Sequence, residues 1–232
     1  MTWVEVRDRI KGGASRVIVP TGGVEQNGPF VALNKHDLIA QTVSVRVAEL
    51  LGNTLVAPTV SFVPEGGFDP PSGHMRYPGT ISVSSDTFQR LLGDIITSLS
   101  LAGFKEIVVV GDSGDSQADI VRAVTQRTPE NTHGSRVRYV SEFYDYDGLR
   151  AWLKERGIQE TPESFHEELA FSLQLMAIDP QAMRYDERLQ RSGATLGGMS
   201  LADKERITTL GREIVQRRAE RVADVIRNEP GR

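Results

Sequence analysis

The chain has 232 residues, 39% of them hydrophobic, with 27 Lys and Arg against 31 Asp and Glu, a formal net charge of −4 and no cysteine. Those figures exclude disulfides, thiolate zinc clusters, iron–sulfur centres and thiol nucleophiles, and they leave no basic footprint for nucleic acid. Any metal has to be held by carboxylates and by the four histidines, His36, His74, His133 and His166.

In chain order, a short opening helix ends at Gly12-Gly13, and Arg16–Pro20 (RVIVP) is a β-branched run that predicts a buried strand. After a Gly-rich loop, the spacing of Leu38, Ile39, Val43, Val47 and Leu51 predicts a helix from His36 to about Leu51, stopped by Gly52-Asn53. Thr54–Phe62 reads as a second strand, residues 64–78 as a long Pro/Gly loop, and Thr80–Val83 as a short strand. Ser85 or Asp86 caps a helix that reaches Ala102, with Gly103 as its left-handed exit. Glu106–Val110 (EIVVV) is the clearest buried strand. A helix over Gln117–Gln126 and a strand over Arg136–Val140 follow. The last third reads as helices at Asp147–Arg156, Pro162–Ala177 and Leu201–Arg227, the last a solvated outer element rich in Arg and Glu.

Strands alternating with helices predict an α/β fold with a mostly parallel sheet covered on both faces, in one domain over 1–232. No stretch approaches the ~20 apolar residues of a bilayer crossing, and the first sixteen residues lack the apolar core of a signal peptide. A cytoplasmic protein with no membrane and no nucleic-acid partner is the expectation.

Ligands of open parallel sheets gather outside the carboxyl ends of the strands. Two polar loops leave strands here, TGGVEQNGPFVALNKHD after RVIVP and GDSGDSQ after EIVVV. They would bring Glu25, His36, Asp37, Asp112 and Asp115 to one edge, and carboxylates with neutral imidazole suit zinc or manganese. Each residue also has a plain structural role open to it: Glu25 in a turn, His36 at its helix start, Asp112 and Asp115 capping the next helix. GDSGDS is close to the nucleophile elbow G-x-S-x-G, but Asp115 stands where the second glycine belongs, so Ser113 reads as a loop serine. His133 sits among turn residues and reads as surface. Phe143, Tyr144 and Tyr146 read as core or interface aromatics in preference to pocket walls.

The segment VPTGGVEQNGPFVALNKHDLIA resembles the signature loop of the creatininase (creatinine amidohydrolase) family, usually E-Q-H-G-P-H-L-P-L-x-T-D. YPGT at Tyr77–Thr80, GDSGDS in place of N-G-H-G-G-N, HEELAFSLQLMAIDP at His166–Pro180 and GGMSLADKERITTLG follow in the family's order. The resemblance implies a three-layer α/β/α sandwich, a homo-oligomer (often a hexamer) and a metal-dependent hydrolase of a small molecule. Several ligand positions depart from it. Glu25 is kept, but the histidine two residues later is Asn27, the bridging aspartate falls on His36, and the second loop has Ser113 for histidine with Asp115 at the acidic position. His166 is kept, while the two glutamates of its motif fall on Leu169 and Phe171, with Glu167 and Glu168 beside them.

This set is poorly suited to two metals ~3.5–4 Å apart. The expectation is therefore one divalent ion, Zn or Mn with Fe possible, on Glu25, His36 and either Asp112 or Asp115. His166 is open as a fourth ligand or as an acid–base group, a role that imidazole suits near neutral pH. Glu167, Glu168 and Asp37 are the other candidate proton carriers. Asn27, His74, Ser113 and Gly114 are the candidate substrate contacts, with Gly22, Gly23, Gly28 and Gly114 as backbone donors to an oxyanion. The expected reaction is hydrolysis of a non-peptide or cyclic C–N bond. The alternatives are a non-hydrolytic biosynthetic enzyme on the same fold, or a non-catalytic binding or scaffold homologue.

Overall fold

The computed structural model describes residues 1–127, 130–161, 166–191 and 194–228. Four parallel strands form the central sheet in the order β2-β1-β3-β4. They are β1 (Arg16–Thr21), β2 (Thr54–Val56), β3 (Glu106–Gly111) and β4 (Arg136–Tyr139). β1 and β3 pair in register from Arg16 with Glu106 to Thr21 with Gly111, so both strands end level. The loops that follow them must therefore leave side by side at the carboxyl edge, which is what sets the site.

Because side chains alternate along a strand, the sheet feeds two separate cores. Val17, Val19, Ile107 and Val109 join one cluster with Phe88, Leu92, Ile96 and Ile120. Those partners lie on α3 (Ser85–Ala102) and α4 (Gln117–Thr125). Ile18, Val108 and Val110 join the other cluster. Its helices are α2 (Lys35–Leu51), α5 (Tyr146–Glu155), α6 (Leu169–Ile178) and α8 (Lys204–Asn228). The result is the three-layer α/β/α sandwich expected from the sequence. α1 (Trp3–Lys11) opens the chain with a Thr2–Glu5 capping box, and α7 (Tyr185–Leu189) is a short turn of helix.

Local chemistry explains most boundaries. In α3 the buried positions Phe88, Leu92, Ile96 and Ser100 recur every fourth residue, the Ser84 side chain accepts from the Thr87 N–H, and Gly103 exits at φ 104°. α6 has no polar face: eight of its ten residues, from Leu169 to Met176, are buried, as a helix held between α2 and α8 requires. The backbones of α6 and α8 come close enough that a Cβ on Gly211 would lie 1.9 Å from the Leu173 carbonyl oxygen.

Several boundaries differ from the sequence expectation, among them the cap of α3, which is Ser84 and not Ser85 or Asp86. β2 stops at Val56 instead of Phe62, close to Pro58, which has no N–H to offer a ladder; the chain regains the sheet only at a Thr21–Val60 bridge. Thr80–Val83 forms no ladder, only an isolated antiparallel bridge between Ile81 and Val24. The helix expected from Pro162 begins at Leu169, because Glu168 is extended and His166 is left-handed at φ 66°; residues 162–165 lie outside the described residues. The last helix begins at Lys204 and is no purely solvated element, since Ile207, Ile214, Arg218 and Val222 are buried. Before it, Gly197 and Gly198, both at positive φ, turn a hairpin of β5 (Thr195–Leu196) and β6 (Met199–Ser200). Among the described residues, no helix is long and apolar enough to cross a membrane.

Candidate active site

Glu25, in the loop after β1, is the hub. Its Oε1 lies 2.7 Å from His36 Nε2 at the start of α2 and 2.6 Å from His166 Nε2. His74 Nε2 approaches the other oxygen at 3.4 Å, and the His74 and His166 rings are 4.4 Å apart between centroids. Burial works against charge on Glu25. Hydrogen bonds from His166 and His36, with the His36 and Lys35 charges, hold the carboxyl well below the usual carboxylate range all the same. Glu25, His74 and His166 each offer one ligand atom within 4.8 Å of the others, a spacing that suits one metal ion.

Behind this triad is a buried ionic network. His36 Nδ1 lies 2.8 Å from Asp112 Oδ2, so both ring nitrogens of His36 face carboxylates. Burial and the Lys35 charge oppose protonation of His36, but the hydrogen bonds to Asp112 and Glu25 outweigh them and raise its pKa. Arg218 on α8 donates to Asp112 Oδ1 at 2.6 Å, to Gln174 Oε1 at 2.7 Å and to the Tyr146 hydroxyl at 3.0 Å. Burial raises Asp112, yet Arg218 and His36 bring it below the usual aspartate value.

Lys35 is 1% exposed, with Nζ 3.1 Å from the His166 carbonyl, 3.8 Å from Glu168 and 3.9 Å from Glu25. The left-handed backbone at His166 presents its ring to Glu25 and its carbonyl to Lys35, a strained conformation of the kind that collects at functional sites. Glu65 is fully buried. Burial and the adjacent Glu25 carboxylate push it up to about 10, so it carries a proton at neutral pH. Gly23 makes room for it: a Cβ there would lie 2.2 Å from Glu65 Oε1.

The structure brings Glu25, His36, Asp112, His74, His166 and Glu168 together, with a division of labour unlike the expected one. His36 and Asp112 bind each other and their protein partners, whereas His74, expected at the substrate, stands with His166 on Glu25. Asp115 and Gly114 are exposed at the rim, and Gly114 lies under the Tyr144 hydroxyl. Asp37 accepts from the Gly23 N–H at 3.1 Å, which steadies the loop and leaves that N–H unavailable to an oxyanion. Asn27 donates to the Glu25 and Ala32 carbonyls, both at 2.9 Å, and so closes its own loop. Ser113 donates to Glu65 at 3.3 Å. Glu167 turns away and pairs with buried Arg188. His133 is exposed, and Phe143 and Tyr146 are core residues, as the sequence suggested.

Three residues of the network escaped sequence reasoning. Lys35 shares the buried stripe of α2 with Ile39, Val43 and Val47, and Arg218 that of α8 with Ile214 and Val222. A charge in register with an apolar stripe was the available signal. Glu65 had none, because only its contact across 40 residues with Glu25 distinguishes it from a loop carboxylate.

Fold and site together define a three-layer α/β/α protein with a histidine–carboxylate cluster at the carboxyl edge of its sheet. The creatininase family model, described as creatinine amidohydrolase, matches residues 1–226. The chain belongs to this family. It is 28% identical over 124 residues to creatinine amidohydrolase of Pseudomonas putida, covering 53% of this chain and 47% of that protein. It is 31% identical over 107 residues to the mycofactocin precursor peptide peptidase of Mycolicibacterium smegmatis, covering 44% and 41%. The match thus spans about half the length of these curated relatives or less. Among solved structures, a mutant creatininase superposes with a TM-score of 0.75 at 22% identity, covering 100% of this chain and 97% of that one. A mutant creatininase of Zn-Zn type and a creatininase with Mn superpose at 0.73 and 0.72, at 22% and 21% identity and the same coverage.

Proposed function

We propose that the chain is a metal-dependent amidohydrolase that cleaves a C–N bond of a small molecule, with one divalent ion held by Glu25, His74 and His166. The convergence of these three side chains carries the reading. Support comes from the family, whose curated relatives are named as an amidohydrolase and a peptidase, and from the Zn and Mn named for its structural neighbours. When bound, such an ion polarises a carbonyl and lowers the pKa of water at the site.

The chain's own residues supply the rest. Glu168 is the carboxylate best placed to move a proton, because it lies 3.7 Å from His166 Nδ1 and is 29% exposed. Burial would raise it, but Lys35 and His166 keep it below the ordinary glutamate value, so it is a base at neutral pH. It would take the proton of the attacking water and return it to the leaving nitrogen. Gly114 lies against the Tyr144 hydroxyl; burial holds that phenol at about 12, so it stays a donor. His36, Asp112, Arg218 and Lys35 orient Glu25 and His166 from behind. A cytoplasmic homo-oligomer, hexameric on the family pattern, belongs to the same proposal, and light scattering tests the assembly.

The test is metal analysis of gently purified protein, with turnover on a panel of lactams, formamides and short peptides. About one Zn or Mn per chain is expected, lost in His74→Ala and in His166→Ala, with hydrolysis that stops on chelation. Metal retained in both variants, or none bound by the wild type, would sink the assignment. Metal without turnover on any amide would favour the non-hydrolytic alternative.

A further inference from the structure

We infer that Lys35 restricts this site to a single metal ion, its buried ammonium standing where a second cation would need to be. The inference rests on the metal reading at Glu25, His74 and His166 and extends it to a residue outside that set. Lys35 Nζ lies between two carboxylates, 3.9 Å from Glu25 Oε1 and 3.8 Å from Glu168 Oε2. Without it, Glu25 and Glu168 would lose the cation they share, leaving two oxygen ligands of the kind that draw a divalent ion.

Burial lowers the Lys35 pKa while the Glu25 and Glu168 carboxylates favour its charged form; as an ammonium it has three donors and no acceptor, faces both carboxylates as a point charge and cannot ligate a metal. It is fixed in place. One donor reaches the His166 carbonyl at 3.1 Å, the Phe171 ring lies 4.4 Å away, and 1% of the side chain is exposed. Ions in solution screen so buried a charge only weakly, so it opposes any divalent cation brought beside Glu25 on that side.

Packing alone does not call for lysine here. The other members of its stripe, Ile39, Val43 and Val47, are apolar, and burying an amine is unfavourable unless its charge is used. Arg218 does the same for Asp112, whose Oδ1 it holds at 2.6 Å. Glu168 and Asp112 are therefore already paired with fixed cations, and His74 and His166 mark the face of Glu25 that is left for a metal.

The experiment is a calorimetric titration of chelator-stripped full-length protein with Zn²⁺, checked by metal analysis of the saturated samples. It compares wild type with Lys35→Met and Lys35→Gln, the glutamine being able to keep the bond to the His166 carbonyl. The wild type should saturate at about one Zn²⁺ per chain. The variants should take up about two, or bind the one at least about tenfold more tightly, as removal of a neighbouring like charge requires. A stoichiometry of one with affinity within about threefold of wild type, in variants whose near-ultraviolet circular dichroism is native, overturns the inference and leaves the metal site itself standing. A wild type that binds no Zn²⁺ instead sinks the metal site, and this inference with it. If neither variant folds, the wild type decides: a second Zn²⁺ at excess metal overturns the role of Lys35, and saturation at one supports it.

Discussion

The two faces of the sheet are built on different physics. Toward α3 and α4 the core is built on apolar side chains, from Val17 and Val109 to Phe88, Leu92 and Ile96, with Ser100 and Asp119 as the buried polar groups of those helices. Toward α2, α6 and α8 an apolar core of similar make-up surrounds buried Lys35, His36, Asp112, Gln174 and Arg218. One layer is a foundation held by burial of surface. The other takes ions out of water and must match each with a partner to remain folded. A protein can afford such a layer beside a site when the opposite face is simple.

Breaking the ionic layer should have the largest effect. Arg218→Met leaves Asp112 buried without its main partner and should lower unfolding free energy by about 3–5 kcal/mol in urea titration. The double variant Asp112→Leu/Arg218→Met should recover part of that loss, since no unpaired carboxylate remains, although His36 Nδ1 and the Tyr146 hydroxyl each lose a partner. A double variant as unstable as the single would show that the unpaired Asp112 charge is not the source of the loss.

The same pair predicts a pH signature. Asp112 has a folded pKa below its ordinary 3.8. Its contribution is therefore present above that value and is lost as pH falls through the lower, folded one. The stability gap between wild type and Arg218→Met should be constant around neutrality and close below about pH 4. A gap that widens in acid would contradict the assignment.

In the apolar layer, Leu92→Ala should cost about 2–5 kcal/mol by the same urea measurement while Zn²⁺ affinity stays at the wild-type value. A change in metal binding would mean that the two layers are coupled through the sheet. Gly211→Ala sharpens the comparison inside the ionic layer, because the added methyl would collide with the Leu173 carbonyl. A loss of about 1–3 kcal/mol is expected. The smallest effect belongs to Ser84→Ala, which removes the N-cap of α3 for about 1 kcal/mol in thermal or urea unfolding.

Legibility in the sequence follows the range of the interactions. Strands β1 and β3, the span of α2 and α3 and the capping of Gly103 depend on neighbours within a few residues, and their periodicity is plain. The start of α6 is not legible in the sequence, because a left-handed histidine and an extended Glu168 override a helical composition. β2 was overextended because a β-branched run continues past Pro58. In the candidate site, Glu25, His36, His74, Asp112 and His166 are readable as polar groups of the strand-end loops and the sparse histidines, whereas which of them touch one another is not. Nor are the roles of His36 and His74.

By itself, then, the sequence determined the α/β class, the two strand-end loops and that any metal ligand here is a histidine or a carboxylate, because these follow from composition and local pattern. Only the tertiary structure decided which side chains stand together as a candidate ligand group and which are bound to protein cations. That choice depends on Lys35 reaching the His166 carbonyl and on Arg218 reaching Asp112, contacts 131 and 106 residues apart in the chain. The charge state of each buried group is set by such distant partners, through burial and Coulomb attraction, and no local pattern encodes them.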